Sequence, residues 1–135
     1  MKEITLEAIV DNIPVATDFI NAELEAMECP MKAQMQIAIA IDELFGNIAH
    51  YAYAMKTGKV TVRVEFEKNP RSVVITFMDQ GRPYDPLRAE EPDTTLNAKE
   101  RSVGGLGIFL VKKIMDDVRY EYRDGQNILR IRKNV

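Results

Sequence analysis

The sequence predicts an α+β domain, a two-layer α/β sandwich in which helices cover one face of a mixed, mostly antiparallel sheet. Three observations predict it. Some segments alternate apolar and polar residues with the period of a strand, others repeat apolar residues with the period of a helix, and short turns join consecutive strands. Strands joined by short turns pair antiparallel, and helices with an apolar stripe need a surface to cover. The length of 135 residues suits a single domain, residues 1–135.

The first part of the chain predicts a strand followed by two helices. The strand covers KEITLEAIV, and Asp11 or Asn12 then caps the first helix. The second helix is predicted from about Lys32 to about Met55, with Gly58 as its C-cap. In the first helix the apolar residues at helical spacing are Val15, Phe19, Ile20, Leu24 and Met27.

The remainder predicts two strands, a long polar loop, a helix and a hairpin. The strands cover residues 59–68 and 72–79, and the first alternates apolar with polar residues, as in a sheet with one buried face. Residues 82–103 are polar and lack a period, and loops of this length are often lids or binding loops. A helix then runs to about Met115. After this helix the sequence predicts a β-hairpin, whose two strands are joined by a DGQN turn that contains Asp124-Gly125.

The bulk composition argues against several functional classes. A net charge of -3 and a pI of about 5.3 disfavour a general nucleic-acid binder, which needs a basic surface. No apolar run approaches the roughly 20 residues of a membrane span, and the N-terminus lacks the apolar core of a signal peptide. Cys29 is the only cysteine, so neither an internal disulfide nor a multi-cysteine zinc site can form. We therefore expect a cytoplasmic protein that binds neither nucleic acid nor membrane.

A glycine-rich stretch lies where the last helix begins, in SVGGLGIFLVKKIMDD. Backbone N–H groups at a helix N-terminus lack partners, and the helix dipole makes this end attractive to anions. Gly104, Gly105 and Gly107 would let a phosphate approach the backbone closely. The pattern is not a Walker loop, because the required lysine is missing. It is not a dinucleotide fingerprint either, because the glycine spacing differs. From these residues alone, an anion cradle and a flexible hinge are equally favoured.

The second predicted helix carries a polar stripe in the segment IDELFGNIAH. Glu43 and Asn47 are four residues apart, so their side chains meet on the helix surface. Glu43 is a candidate base, and Asn47 is a candidate oxygen ligand for a hard cation such as Mg²⁺. A solvated helix face is the more frequent explanation of such a pair, although a glycine inside a helix, here Gly46, usually has a packing or functional reason. Gln36 and His50 lie on the same stripe.

The third candidate is Asp79, which ends a strongly apolar strand in VVITFMDQGRPYDP. A carboxylate there can accept a hydrogen bond from an exocyclic amine. Adenine offers that amine, whereas guanine presents an oxygen at the same place. A simple Asp-x-Gly turn, formed with Gly81, also explains these residues and is the favoured explanation when they are taken alone.

The order and spacing of the three motifs resemble the nucleotide-binding Bergerat fold shared by gyrase, Hsp90, histidine kinases and MutL, the GHKL superfamily. The matching region runs from about Ala38 to Asp116. Within that superfamily, the sequence looks most like the small bacterial anti-sigma-factor serine/threonine kinases. DQGRPYDP is similar to their form of the Asp-Gly box, and ERSVGGLGIFLVKKIMD is similar to their glycine box and following helix.

The resemblance implies that ATP lies between the second helix and the glycine-rich start of the last helix. Asp79 would bind the adenine amino group, and Gly81 would line the base pocket. Asn47 would hold Mg²⁺ against the phosphates, and Glu43 would be the general base.

The resemblance also assigns the phosphate end of the site. Arg101 matches a basic position before the glycine box and would contact phosphate or a partner. The flexible ATP lid would cover about residues 84–103. The backbone amides that reach the phosphates would belong to Gly104, Gly105, Leu106 and Gly107.

The activity implied is a kinase that phosphorylates a serine or threonine of an anti-sigma-factor antagonist. The resemblance further implies a complex with a sigma factor and a homodimer. One alternative is an ATPase in which Glu43 activates water, and another is a protein-binding module that holds nucleotide without turnover. His50 is expected to be a pocket-edge or structural residue, because histidine kinases carry their phosphoacceptor in a separate helical hairpin.

Overall fold

The computed structural model describes residues 1–53, 58–88 and 105–135, and they form an α+β fold with the predicted order of elements. Two 3₁₀ turns, Val10–Asn12 and Pro86–Arg88, and one π-helical turn, Ile48–Ala52, complete the described secondary structure. The strands are β1 (Lys2–Glu7), β2 (Lys59–Glu67), β3 (Ser72–Asp79), β4 (Asp117–Arg123) and β5 (Gln126–Asn134). The helices are α1 (Ile13–Ala26), α2 (Met31–Asn47) and α3 (Gly105–Ile114).

The five strands form one sheet in the order β1-β2-β3-β5-β4, and each of these pairings is antiparallel. The prediction of a mostly antiparallel sheet is therefore confirmed. Pairing of β3 with β5 places Asp79 directly opposite Asn127, although 48 residues separate them along the chain. This juxtaposition builds one wall of the candidate site.

The core lies between the sheet and the helices. One sheet face contributes Val60, Val62, Val64, Ile75 and Phe77, all buried. The helices contribute Ile20, Leu24, Ile37, Ile41 and Phe45, which are also buried. The opposite sheet face is mostly polar, as the alternation predicts, although Val74, Met78 and Ile128 also lie on it. Its central row includes Arg63 and Arg130, which flank Thr76 in the register. The two-layer sandwich is confirmed.

The buried stripe of α1 differs from the predicted one. Ala16, Ile20 and Leu24 form it at a spacing of four residues, and all three are fully buried. Val15 is 43% exposed and Met27 is 38% exposed, so their assignment to the inward stripe is wrong. Side-chain size misled the prediction, because the small Ala16 occupies the inward position of the first turn and the larger Val15 lies beside it.

The end of α2 also differs from the prediction. The helix changes at Ile48 into the π-helical turn, and Tyr53 follows as its C-cap residue. Gly58 is therefore not the C-cap; its carbonyl accepts a hydrogen bond from Ala8 N–H at 2.8 Å, at the entry to β2. The hydroxyl of Tyr53 donates to the Lys59 carbonyl and accepts from Gln80 N–H, and these bonds attach the chain to the sheet.

The N-terminal strand is shorter than predicted, because β1 ends at Glu7. Asn12 occupies the N-cap position of α1, but its side chain does not cap the helix. Its Nδ2 donates instead to the Glu7 carbonyl at 2.9 Å. Across the described residues, we find no helix with both the length and the hydropathy needed to cross a membrane.

Candidate functional site

A cavity lies between the C-terminal end of α2 and the ends of β3 and β5. Its polar lining residues are Asn47, Asp79, Tyr84, Tyr120 and Asn127. Its apolar lining residues are Leu44, Ile48, Ala52, Pro86 and Leu129. The space measures about 370 Å³, including the part open to solvent. An apolar cleft with a few convergent polar groups is typical of a small-molecule site.

Asp79 is the buried carboxylate of this cavity, at the last position of β3. Its Oδ1 accepts two hydrogen bonds of 2.9 Å, one from Gly81 N–H and one from Asn127 Nδ2. Its Oδ2 makes no hydrogen bond within the described part of the chain. Because Asp79 lines the cavity, Oδ2 is an acceptor available to the amine of a ligand.

Two opposing effects act on the ionisation of Asp79. Burial disfavours the charged form and raises the pKa of the carboxyl group above its ordinary value. The hydrogen bonds from Asn127 and Gly81 oppose this rise, because they stabilise the carboxylate. The larger effect is burial, so the pKa remains raised. A buried carboxyl group with a raised pKa in a cleft is typical of functional sites.

Asn127 is a site residue that the sequence analysis missed. It is 6% exposed and faces the cavity from β5, whereas its segment was predicted to be part of the hairpin turn. The turn is shorter: Asp124 and Gly125 have φ values of 54° and 76°, and β5 begins at Gln126. A polar residue at the start of an apolar strand was the available signal, but its partner Asp79 is revealed only by the pairing of β3 with β5.

Two tyrosines complete the cavity wall. Tyr84 stacks on Tyr51, with ring centroids 5.7 Å apart and an interplanar angle of 27°. Tyr120 reaches in from β4 and donates its hydroxyl hydrogen to Asn127 Oδ1. Burial is the largest cause of a raised pKa for both Tyr84 and Tyr120, so both hydroxyls stay protonated at neutral pH. Neither tyrosine was a predicted site residue.

Asn47 lines the same cavity. Its Nδ2 is buried and has no hydrogen-bond partner among the described residues. A buried amide donor without a partner is unfavourable unless an acceptor atom of a ligand satisfies it, and the side-chain oxygen is the atom that could bind a cation. Within the described residues no three His, Cys, Asp or Glu side chains cluster as a metal site. Mg²⁺ often binds through one or two protein oxygens together with substrate phosphates, and Asn47 fits that arrangement.

Glu43 lies one turn before Asn47 on α2 and contacts the beginning of α3. A methyl group on Gly107 would lie 1.8 Å from Glu43 Oε2 and 2.4 Å from its Cδ. Gly107 therefore leaves the space that the carboxylate of Glu43 occupies. Glu43 is absent from the described lining of the cavity, so the structure pairs it with Gly107 rather than with Asp79.

Gly81 allows a close approach of two backbones. A methyl group there would lie 2.2 Å from the carbonyl oxygen of Ala52, and Arg82 N–H donates to that same oxygen at 2.8 Å. Gly81 is not among the described residues that line the cavity, although its N–H holds Asp79.

Replacing Gly81 with alanine is expected to destabilise the fold by about 1–3 kcal/mol, because backbone atoms must move to admit the methyl group. Gly46→Ala is the matched control. Apart from the adjacent residues and the nearby backbone of α2, no described atom lies within 4 Å of the added methyl position at Gly46, so this change is expected to stabilise α2 by roughly 0.5–1 kcal/mol. Urea denaturation measures both effects. Equal stability of the two variants would contradict the backbone contact at Gly81.

Several predicted site residues lie outside the described part of the chain, and others do not line the cavity. Arg101, Gly104 and most of the predicted lid belong to residues 89–104, which are not described. Gly105 and Leu106 open α3, as the glycine motif predicts for a helix start. His50 is exposed on the π-helical turn and does not appear among the described lining residues.

The comparisons with known proteins agree with this fold. The family described as "Histidine kinase-like ATPase domain" matches residues 6–133. The chain is 26% identical over 98 residues to serine/threonine-protein kinase BtrW of Bordetella bronchiseptica, covering 73% of this chain and 68% of the relative. It is 31% identical over 99 residues to serine-protein kinase RsbW of Bacillus licheniformis, and this match covers 68% of this chain and 59% of the relative. The chain thus spans about three fifths of the length of that relative.

A solved structure has a similar fold. The histidine kinase domain of the Erythrobacter litoralis EL346 blue-light activated histidine kinase aligns with a TM-score of 0.56 at 17% identity. The alignment covers 78% of this chain and 46% of that one. At this identity the likeness concerns the fold alone. Since the family match extends over almost the whole sequence, this chain belongs to the histidine kinase-like ATPase domain family.

Proposed function

We propose that this protein is an ATP-dependent serine/threonine protein kinase of the anti-sigma-factor type. The observation that carries the proposal is the Asp79 carboxylate, with Oδ1 held by two donors and Oδ2 available in an apolar cavity. Membership of the ATPase domain family supports nucleotide binding. The names of the relatives, which are serine or serine/threonine protein kinases, support the reaction type.

Recognition of the base follows from the geometry around Asp79. The 6-amino group of adenine would donate a hydrogen bond to Oδ2, while the 6-oxo group of guanine would oppose it with a second acceptor. The apolar walls, including Ile48 and Leu129, would enclose the ring and exclude water. We therefore expect ATP to bind more tightly than GTP.

The phosphates would extend from the cavity towards the start of α3. The N–H groups of its first turn, at Gly105 to Gly107, have no partners within the helix and lie at the positive end of its dipole. Asn47 would hold Mg²⁺ beside the phosphates. When bound, Mg²⁺ neutralises the negative charge that phosphoryl transfer concentrates on the phosphate oxygens.

Glu43 is the proposed general base for the transfer. Its carboxylate would take the proton from the hydroxyl of a serine or threonine on the protein substrate. The hydroxyl oxygen would then form a bond to the γ-phosphorus as the bond from that phosphorus to the β,γ-bridging oxygen breaks, releasing ADP. The contact with Gly107 would keep the carboxylate at the helix start where the phosphates bind.

The proposed protein partners rest on the resemblance of the motifs. The substrate would be an anti-sigma-factor antagonist, the chain would also bind a sigma factor, and it would act as a homodimer in the cytoplasm. An ATPase or a nucleotide-gated binding module would use the same cavity without a protein acceptor, and these functions are the alternatives that the experiment must separate.

The test combines calorimetry with radiolabel transfer. Calorimetry with ATP and Mg²⁺ measures binding, and γ-³²P-ATP with a lysate of the source organism identifies a labelled protein and the residue modified. Label on serine or threonine that disappears with the Glu43→Ala protein supports the kinase. Phosphate release without labelled protein indicates the ATPase, and binding without either reaction indicates the binding module. Absence of ATP binding by the folded protein overturns the whole proposal.

Replacing Gly107 with alanine is expected to slow phosphoryl transfer about tenfold or more, because the methyl group displaces a carboxylate that must be positioned within a fraction of an ångström. The side chain of Glu43 can move aside, so the melting temperature should change little. Initial transfer rates and thermal denaturation measure the two effects. Gly46→Ala on the neighbouring helix is the control, and equal rates for both variants would contradict the proposed positioning.

A further inference from the structure

We infer that Asn127 is the positioning residue for base recognition, because its amide orients the Asp79 carboxylate and joins it to the backbone of residues 81–84. This inference rests on the proposed ATP-binding function and adds to it a residue that neither the motifs nor the resemblance identifies. Asn127 acts through Asp79 and is not itself assigned a contact with the nucleotide.

The side chain of Asn127 has all of its hydrogen-bonding groups engaged. Nδ2 donates to Asp79 Oδ1 and to the Arg82 carbonyl, both at 2.9 Å, with a longer contact of 3.4 Å to the Gly81 carbonyl. Oδ1 accepts from Tyr84 N–H at 3.1 Å and from the hydroxyl of Tyr120. Two donors and two acceptor sites are the full capacity of a primary amide.

These contacts allow only one orientation of the amide. If Nδ2 and Oδ1 exchanged places, an oxygen would face Asp79 Oδ1 and the Arg82 carbonyl, and an amide NH₂ would face Tyr84 N–H. The residue is buried, so water would not compensate for these lost hydrogen bonds. The amide therefore presents its donor to Asp79, and Oδ2 of that carboxylate is left for the base.

Asn127 also connects the base acceptor to the segment that follows it. The Arg82 carbonyl and the Tyr84 N–H bind opposite ends of the same amide, so the backbone from 82 to 84 is held beside Asp79. Tyr84 contributes to the cavity wall. Loss of the amide would thus disturb both the acceptor and the adjacent wall of the pocket.

The charge environment makes the inference testable by pH. The hydrogen bond from Asn127 lowers the pKa of Asp79, in opposition to burial. The described titratable groups that interact with Asp79 are Tyr53, from the turn after α2, and Tyr120, from β4. Both have raised pKa values and stay uncharged between pH 5 and 8. Its described neighbours from α2 and β2, Asn47 and Val60, carry no charge.

The decisive variant is Asn127→Asp, which keeps the size of the side chain but replaces the donor with a carboxyl group. At pH 8 two carboxylates would face each other, and ATP affinity is expected to fall about tenfold or more relative to wild type. At pH 5.5 the pair would share a proton, which restores a donor to Asp79, so the deficit is expected to shrink several-fold. Calorimetry with ATP and Mg²⁺ at both pH values measures the ratio of the two affinities.

The ratio removes effects common to both proteins, such as protonation of ATP itself. If the ATP affinities of wild type and Asn127→Asp are nearly equal at both pH values, the inference is overturned while the proposed function stands. A constant deficit at both pH values would indicate a general structural defect and would also overturn it. If wild-type protein binds no ATP, the proposed function fails first, and the inference fails with it.

A second pair of variants guards against misfolding of Asn127→Asp. Tyr120→Phe removes one donor to Asn127 Oδ1 and is expected to weaken ATP binding roughly two- to tenfold. Tyr122→Phe is the matched control on the same strand, because Tyr122 is 46% exposed and makes no hydrogen bond to the described residues. It should change affinity less than twofold. Equal affinities for both tyrosine variants would overturn the role of the Asn127 amide.

Discussion

Replacing Asp79 with asparagine is expected to weaken ATP binding about 10- to 100-fold, the loss that follows when a hydrogen bond to a charged group is removed. The variant keeps an oxygen that can accept from Gly81 N–H and Asn127 Nδ2, so the local structure should persist. At the Oδ2 position, however, an amide NH₂ would face the amino group of adenine, and two donors cannot form a hydrogen bond. Titration calorimetry of both proteins with ATP and Mg²⁺ measures the difference.

GTP provides an internal control for the Asp79 experiment. The guanine 6-oxo group can accept from the new amide, so Asp79→Asn should reduce or reverse the preference for ATP over GTP. Equal ATP affinity of wild type and variant would show that the base does not bind at Asp79. A parallel loss of ATP and GTP affinity would indicate damage to the cavity rather than loss of a specific contact.

The same variant has an expected effect on stability with a defined sign. The folded-state pKa of Asp79 is raised above its unfolded value by burial, so the ionised group is less favourable in the folded state. The free energy of unfolding of the wild type therefore decreases as the pH rises from the unfolded pKa through the folded pKa of Asp79. The asparagine variant has no such decrease, because its side chain does not ionise. We expect the variant to be at least as stable as wild type near neutral pH. The difference in the free energy of unfolding between the variant and wild type should vanish as pH falls below the unfolded pKa of Asp79. Urea denaturation at a series of pH values measures this difference.

Glutamine at position 43 is expected to reduce phosphoryl transfer by about 10²- to 10⁴-fold, the usual contribution of a general base. The amide has nearly the shape of the carboxylate, so it should fill the same space beside Gly107 without disturbing α3. Glu43 is outside the described lining of the cavity, and ATP affinity should therefore stay within about threefold of wild type. Transfer rates and calorimetry on the same preparations separate catalysis from binding.

Asp42 offers a matched control for the Glu43 experiment. It is an acidic neighbour on α2 with an exposed side chain, so Asp42→Asn removes the same charge from the adjacent position. That variant should transfer phosphate at nearly the wild-type rate. A Glu43→Gln protein with normal transfer would remove Glu43 as the base. If both variants are equally slow, the net charge of this part of α2 matters rather than a positioned carboxylate.

Much of the fold follows from local patterns in the sequence. Alternation in β2 and helical spacing in α2 each depend on neighbours a few residues apart, so the elements and the buried sheet face could be predicted. The same holds for the Glu43–Asn47 pair and for Asp79 at the end of its strand. The errors in the predicted elements occur at helix and strand ends and in the inward stripe of α1, where contacts with the rest of the protein compete with local preference.

Local sequence patterns were enough to predict that a carboxylate ends a buried strand, that a carboxylate and an amide share a helix face, and that glycines open the last helix. The contacts of those residues with distant parts of the chain become visible only in the folded structure. Asn127 reaches Asp79 because β5 pairs with β3, and Gly107 must lack a side chain because α3 approaches Glu43. These contacts join residues 48 and 64 positions apart. A pattern of near neighbours cannot encode them, because they depend on how whole strands and helices pack.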